Sequence, residues 1–393
     1  MKILFLSFYF EPDLCAGSFR NTSLFKELLN HIGKKDFIHV ITTYPNRYHS
    51  FKVKSLEEEI GVNYKINRVR IPIHKSGFID QAKSFCFYYR KVLWLINNEK
   101  YDMVFASSSR LFTAFLARKI SAKQKIPLYL DIRDIFVDTI SDIFKDKIFI
   151  RLPIVFCFKL IEKYTFANAS HINLVSEGFK TYFSVYPKPN YSYFTNGIDN
   201  IFLEKDEGVL GCPFEMKDVK IITYAGNIGS GQGLEKIIPE AAEILGDRYL
   251  FRIIGDGSTK SLLEDSVKKK RLTNVELILP VPRDKLIQYY METDFFFLHL
   301  NDLVAFKKVL PSKLFEYGAY DKPIIAGVSG YAAIFIREKL GNTLLFQPTD
   351  VNNFILEMNH YVYKLVDRVQ FKKEYSRNKI LEMMAQSIIS YLE

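Results

Sequence analysis

The run Y-A-G-N-I-G-S-G-Q-G-L-E-K-I-I, residues 224–238, places glycines at 226, 229, 231 and 233. Four glycines so close together let a backbone approach a ligand, and here they follow a strand-like pattern and open a helical one. A helix start offers unpaired N–H groups and the positive end of a dipole, so the natural occupant is a diphosphate. A flexible turn is the plainer alternative. The Lys-Ser/Thr ending of an ATP-hydrolysing P-loop is missing. A second segment, L-P-S-K-L-F-E-Y-G-A-Y-D-K-P-I-I, residues 310–325, starts a helix at Pro311-Ser312. Lys313 and Glu316 then share a helix face, as a surface ion pair or as a functional one. In the functional case Glu316 accepts two hydrogen bonds from a ribose diol and Lys313 neutralises a phosphate. A third segment, E-P-D-L-C-A-G-S-F-R, residues 11–20, sets Gly17 before a helix, where backbone N–H groups can hold an anion or a sugar oxygen. It does not spell G-x-G-x-x-G, which argues against a nicotinamide cofactor.

These loops need a scaffold, and the alternation of patterns supplies one. A chain of 393 residues makes about two domains. Strand-like runs at 2–8, 37–43, 103–106, 128–132 and 170–175 alternate with helical ones at 21–32 and 111–123. The pattern restarts beyond the Gly/Pro-containing stretch 208–213. Strands are then expected at 219–224, 250–255, 275–279, 295–300 and 323–326, with helices at 234–245, 260–271, 285–292 and 313–319. This grammar predicts an α/β protein of two tandem Rossmann-like domains with parallel sheets. Residues 1–200 form the first domain, 201–218 a linker and 219–370 the second. A terminal helix, 371–393, can cross back to the first. Sheets of this kind bind ligands beyond their strand C-terminal ends, which predicts an interdomain cleft.

Composition narrows the class further. Apolar residues make 48% of the chain and charged residues 25%, which excludes a disordered or collagenous protein. Cys15, Cys86, Cys157 and Cys212 form no C-x-x-C pair and read as free thiols in a reducing compartment. His31, His39, His49, His74, His171 and His360 form no metal-binding spacing. The apolar N-terminal run stops at Glu11-Pro12 without a cleavage site, so a buried first strand explains it better than a signal peptide. No apolar run reaches the ~20 residues of a membrane-spanning helix.

The net charge of +10 is unevenly placed. Residues 1–200 hold 29 basic and 18 acidic side chains, or +11, and residues 201–393 hold 25 and 26, or −1. A basic half beside a neutral one points to an anionic surface or substrate. Basic and aromatic residues mix at 83–100 and 145–163, segments that suit either a lipid interface or core helices with snorkelling ends. The acidic run 57–59 and the basic run 268–271 read as solvated faces. No stacking aromatics surround the basic run, so nucleic acid is not expected as a partner.

Taken in order, these motifs resemble glycosyltransferase family 4. The supporting segments in the second half are G-N-I-G-x-x-Q-G-L-E, R-I-I-G-D-G-S, V-P-R-D-K-L-I-Q-Y-Y and P-S-K-L-F-E-Y-G-A-Y-D-K-P-I-I. In the first half they are Y-F-E-P-D-x-x-A-G-S-F-R, L-D-I-R-D-I-F, N-L-V-S-E-G-F and T-N-G-I-D. The resemblance covers nearly the whole chain and is strongest to the branch that builds O-antigen and capsular polysaccharide. It implies the GT-B fold and a retaining sugar transfer without a bound metal or other cofactor. The donor would be a nucleoside diphosphate sugar, a UDP-sugar foremost. The acceptor would be a saccharide linked to undecaprenyl diphosphate, met at the inner face of the cytoplasmic membrane through peripheral contact with anionic lipid.

By the same resemblance, donor binding falls to Gly17, Gly226, Asn227, Gly229, Gln232, Gly233, Asp256, Val281, Lys308, Ser312, Lys313, Leu314 and Glu316. Acceptor binding falls to Gly17, Arg20 and Arg133. Glu316 matches the second glutamate of the family's E-x7-E motif, whereas Lys308 stands at the first. Asn227 and Gln232 replace the cations that many members use against the diphosphate. Something cationic should still meet the leaving group, and Lys313 is the first choice, assisted by Lys308 or Arg20. Arg133 stands near the family's catalytic histidine, with Asp134 beside it, so the catalytic set is Arg133, Asp134 and Lys313. His299 reads as a hydrogen-bonded strand-end residue or as a contact to the donor sugar. An epimerase on the same scaffold and a non-catalytic nucleotide-sugar-binding module are the competing readings.

Overall fold

Short apolar runs too continuous for one-sided burial form strands covered on both faces, as parallel sheets require. The computed structural model describes residues 1–47, 53–72, 78–108, 111–204 and 218–392. His49, His74 and Cys212 lie outside the described residues, as do residues 205–217 of the expected linker. The chain divides into two units, Met1–Asn196 with Asn378–Glu393, and Gly197–Arg377.

The first unit has strands β1 (Lys2–Ser7), β2 (Phe37–Thr43), β3 (Glu58–Ile60), β4 (Tyr64–Val69), β5 (Met103–Ser108), β6 (Leu128–Ile132), β7 (His171–Leu174) and β8 (Asn190–Ser192). They form one sheet in the order β3-β4-β2-β1-β5-β6-β7-β8. All pairs are parallel except β3 with β4. The chain order reverses between β1 and β5, which makes the C-terminal ends of those strands a switch point. The acidic run 57–59, expected to be a solvated face, lies at and beside the edge strand β3. Glu58 pairs with Lys65 at 2.9 Å, Glu59 with Arg68, and Glu57 with Arg70 at 3.7 Å. Cross-strand charge pairing gives those carboxylates partners.

One layer of helices on this sheet contains Ala16–His31 and the C-terminal helix Arg377–Ile389. Leu24, Leu28, Leu381, Met384 and Ile388 share a core with Ile3, Val40 and Phe105. Another layer holds Phe78–Leu95, Leu111–Gln124 and Ile148–Phe166. Phe112 of the middle helix stacks on Phe85 at 5.1 Å and meets Phe158 edge-on at 5.7 Å.

The second unit has strands β9 (Lys220–Asn227), β10 (Tyr249–Asp256), β11 (Val275–Ile278), β12 (Phe295–His299), β13 (Ile324–Gly327) and β14 (Thr343–Phe346). They form a wholly parallel sheet in the order β11-β10-β9-β12-β13-β14. This is the order of the dinucleotide-binding fold, with its switch point between β9 and β12. The expected helix 234–245 is split into a single 3-10 turn, Leu234–Lys236, and an α-helix, Ile238–Leu245. Pro239 sits in the first turn of that α-helix, where its missing N–H costs nothing. The terminal helical stretch is likewise two helices, Val369–Glu374 and Arg377–Ile389.

Candidate active site

The glycine loop leaves β9 at the switch point of the second unit. Gly233 adopts a left-handed conformation (φ 59°), and a Cβ there would also crowd the Asn301 side chain at 3.2 Å. Glycine is the residue that takes this turn without strain. The loop is cross-braced from within and from β12. Asn227 Nδ2 donates to Gln232 Oε1 at 2.8 Å, and Tyr224 donates its hydroxyl to the Asn227 carbonyl at 2.6 Å. The Asn301 N–H donates to the Gly231 carbonyl at 2.8 Å, and Asn301 Nδ2 to the Ser230 carbonyl at 2.9 Å. The α-helix begins only at Ile238, so the glycines lead into a one-turn 3-10 segment. What the loop offers an anion is therefore local N–H groups more than a helix dipole.

His299, the last residue of β12, is fully buried. Its Nε2 accepts the Thr349 N–H at 2.9 Å, so its Nδ1–H donates to the Gln232 carbonyl. The imidazole is thus a neutral brace that pins the glycine loop, which is the hydrogen-bonded reading of this residue. Burial pushes its pKa down to about 4. The folded value lies below the ordinary 6.5 of a free histidine, so the unfolded chain takes up the proton first. Stability from this group is complete above pH 6.5 and drains away as the pH falls towards 4, at about 1.4 kcal/mol per pH unit. Denaturant melts of the second unit at pH 7 and pH 5 are expected to differ accordingly, and His299→Gln should flatten that difference. An unchanged acid slope in the variant would show that the proton is taken up elsewhere.

Lys313 and Glu316 lie on the short helix Lys313–Gly318, packed beside the glycine loop. Lys313 Nζ donates to Glu316 Oε2 at 2.7 Å, and its Cε lies 3.5 Å from where a Cβ on Gly226 would stand. The Glu316 carboxylate is buried and accepts a second bond from the Tyr290 hydroxyl at 3.3 Å, also on Oε2. Among the described residues its Oε1 has no partner. Sequence reasoning missed Tyr290, a fully buried ring on the helix Arg283–Glu292, edge-on to Phe296 of β12 at 5.1 Å. It missed Tyr317 as well, whose hydroxyl accepts the Ala225 N–H at 3.2 Å and fixes the helix to β9. An aromatic in a helical pattern reads as core, and nothing in its spacing announces a bond to a carboxylate.

The remaining donor-side expectations are spread around this loop. Asp256 ends β10 in register with Asn227 and bonds the next backbone amide at 2.8 Å. Val281 lies in the turn before Arg283–Glu292, half-buried against the core that contains Leu314. Ser312 is the N-cap position of the Lys313 helix. Lys308 closes the 3-10 segment Val304–Lys308, on the approach to that helix.

In the first unit, Gly17 lies in the first turn of Ala16–His31, and Arg133 follows β6. Arg133 Nη1 comes within 2.7 Å of the position a Gly17 Cβ would occupy, so an alanine there would collide with it. That nitrogen is buried and has no hydrogen-bond partner among the described residues. An orphaned guanidinium N–H beside the start of a long helix is a physical opening for an anion. Asp134 is exposed next to it.

Arg20 is a correction. It was expected to meet an acceptor or a diphosphate, but it is fully buried and its bonds are all internal. Nε and Nη2 grip Asp131 at 3.0 Å each, Nη2 also donates to the Phe194 carbonyl at 2.8 Å, and Nη1 donates to the Thr195 carbonyl. Nη2 further touches Met384 Sδ at 3.2 Å. The residue joins the Ala16–His31 helix, β6, the segment after β8 and the C-terminal helix. With the whole side chain inaccessible, the guanidinium is not placed to meet a ligand.

Among the described residues, no cluster of three or more His, Cys, Asp or Glu side chains could hold a metal ion. No described helix is long and apolar enough to cross a membrane.

The two switch-point sheets, each with its candidate residues at the strand C-terminal ends, are those of the GT-B fold. Sucrose-phosphate synthase from Thermosynechococcus elongatus superposes with a TM-score of 0.68 at 12% identity, over 100% of this chain and 96% of that one. HepE of Anabaena, in complex with UDP and glucose, gives 0.67 at 13% identity, over 99% of this chain and 100% of that one. Residues 213–379 match the family described as glycosyl transferases group 1. WcaI of Escherichia coli strain K12, described as a colanic acid biosynthesis glycosyl transferase, is 34% identical over 95 residues. That match spans 24% of this chain and 23% of WcaI, under a quarter of either.

Proposed function

We propose that the protein transfers a sugar, with retention and without a metal ion, from a nucleoside diphosphate sugar to a lipid-linked saccharide in cell-surface polysaccharide synthesis. The proposal places the work at an anionic membrane surface on the cytoplasmic side. One observation carries the donor half: the Lys313–Glu316 pair lies against Gly226 of the braced glycine loop, at the switch point of a dinucleotide-type sheet. A cation, a carboxylate with an open oxygen and a tight glycine turn suit a phosphate, a ribose diol and a diphosphate backbone respectively. HepE, of like fold, is seen with UDP, which makes uridine the first base to test. The relation to WcaI favours an envelope polysaccharide as the product.

In this reading the bond between the donor C1 and the diphosphate oxygen breaks. The acceptor hydroxyl forms the new C1–O bond on the same face. Its proton leaves on the departing diphosphate, so no protein nucleophile is required. Lys313 meets the growing charge, while Arg133 and Asp134 orient the acceptor.

The test is a thermal-shift screen with UDP, GDP, ADP and TDP, followed by incubation with the matching nucleotide sugars with and without acceptor. UDP is expected to raise the melting temperature, because a ligand of the native state stabilises it by mass action. Glu316→Ala should weaken binding by about 1–3 kcal/mol, the cost of a charged hydrogen bond. Unchanged affinity in that variant would remove Glu316 from the site. Interconversion of the donor sugar without an acceptor would replace transferase by epimerase.

A further inference from the structure

The helix Ile148–Phe166 presents an apolar ridge that none of the described residues covers. Ile148, Leu152, Phe156, Leu160 and Tyr164 recur every fourth residue, each at least 40% exposed, and Phe149 beside them is 91% exposed. Residues four apart line one face of a helix, so the ridge is continuous over about 24 Å at 1.5 Å per residue. Soluble surfaces scatter large apolar side chains singly, and a contiguous strip of this length marks a place where something docks. Its inner side is well anchored, with Phe158 packed on Phe112 and Phe136. Its one carboxylate, Glu162, is buried and accepts the Tyr182 hydroxyl at 2.5 Å, so it faces away from the ridge.

The charge around the ridge names the partner. Lys145, Lys147, Arg151, Lys159 and Lys163 flank it, with Asp146 the only exposed acid in the same stretch. Long basic side chains bordering exposed Phe, Leu and Ile are the composition of a helix that lies in a bilayer interface, with ammonium groups reaching headgroup phosphates. In the same helical layer, the neighbouring Phe78–Leu95 exposes Phe87 and Trp94, and Lys91 Nζ stands 3.9 Å over the Trp94 ring. Tryptophan and lysine together suit the headgroup level. A second copy of the chain is a poor occupant, because it would bring two basic rims together.

We propose that the ridge of Ile148–Phe166 beds into an anionic lipid bilayer. The inference rests on the membrane-side reading proposed above, and none of the ridge residues is among those assigned to sugar transfer, so docking and transfer can fail independently. The experiment is co-sedimentation of the full chain with vesicles of phosphatidylcholine alone and with about one third phosphatidylglycerol, at low and high salt, beside the variant Leu152→Glu/Phe156→Glu. Both substituted side chains are exposed, so the variant should melt as the parent does. The expected result is binding to the anionic vesicles only, at least about tenfold weaker in the variant, and falling about tenfold or more as salt rises and the Debye length shortens. Absent binding, equal binding to neutral vesicles or equal binding by the variant would overturn the proposal. So would a dimer in solution that the variant dissociates.

Discussion

Replacing Arg20 with alanine is expected to destabilise the first unit by about 3–5 kcal/mol, because Asp131 would be left charged and unpaired in a site from which water is excluded. Both side chains of the pair are wholly inaccessible, and Asp131 takes two of the guanidinium's bonds. The two carbonyls at Phe194 and Thr195 lose a donor as well. Arg20→Lys should recover little, since a single ammonium cannot reproduce a planar fork that reaches four acceptors. Arg20→Met with Asp131→Leu should recover much of the loss, because removing both charges removes the desolvation penalty along with the attraction. Trp94 is the chain's one tryptophan and lies in the first unit, so its emission during denaturant titration reads this unit and not the other. A loss under 1 kcal/mol for Arg20→Ala would contradict the buried-crosslink role and return Arg20 to the candidate ligands.

Arg20 also shows where sequence reasoning stops. A basic residue three positions after a glycine that opens a helix looks the same whether it points to solvent or inward. What decides is a carboxylate 111 residues away on β6, which local pattern does not reveal. The second-unit candidates were more legible because their chemistry is contiguous. Four glycines follow one strand, and Lys313 and Glu316 lie one turn apart on one helix. Tyr290 was hidden for the same reason as Asp131. Its contact with Glu316 exists only because the strand order sets Arg283–Glu292 beside Lys313–Gly318. The α/β alternation was readable in the hydrophobic runs, but the edge strand β3 was not. E-E-I lacks an apolar period, and the basic partners of its carboxylates, Lys65 and Arg68, lie on β4. Gly17 was singled out for the anion-holding N–H groups at a helix start, whereas the structure gives it a second reason, the space that the Arg133 guanidinium takes.

Lys313→Ala is expected to lower kcat by about 100-fold to 1,000-fold while changing nucleotide affinity far less, the signature of a charge met chiefly in the transition state. The glycine loop cannot do this itself. Its side chains nearest the turn, Asn227 and Gln232, are neutral amides already bonded to each other. Lys236 is engaged with Asn301 at 3.1 Å, beyond the loop. Lys313 is held by Glu316 and lies alongside Gly226, so in the proposed reaction its ammonium would need no further reorganisation as the C1–O bond lengthens. Its removal should leave the fold intact, because Glu316 keeps the Tyr290 hydroxyl and the lysine side chain is 21% exposed. The readout is slow hydrolysis of the nucleotide sugar in the absence of acceptor, which needs the same bond to break, measured beside nucleotide binding by calorimetry. Lys308→Ala provides the comparison. A kcat within threefold of the parent for Lys313→Ala, or a larger loss for Lys308→Ala, would move the leaving-group role away from Lys313. A matched loss in affinity and melting temperature would reduce the lysine to a structural partner of Glu316.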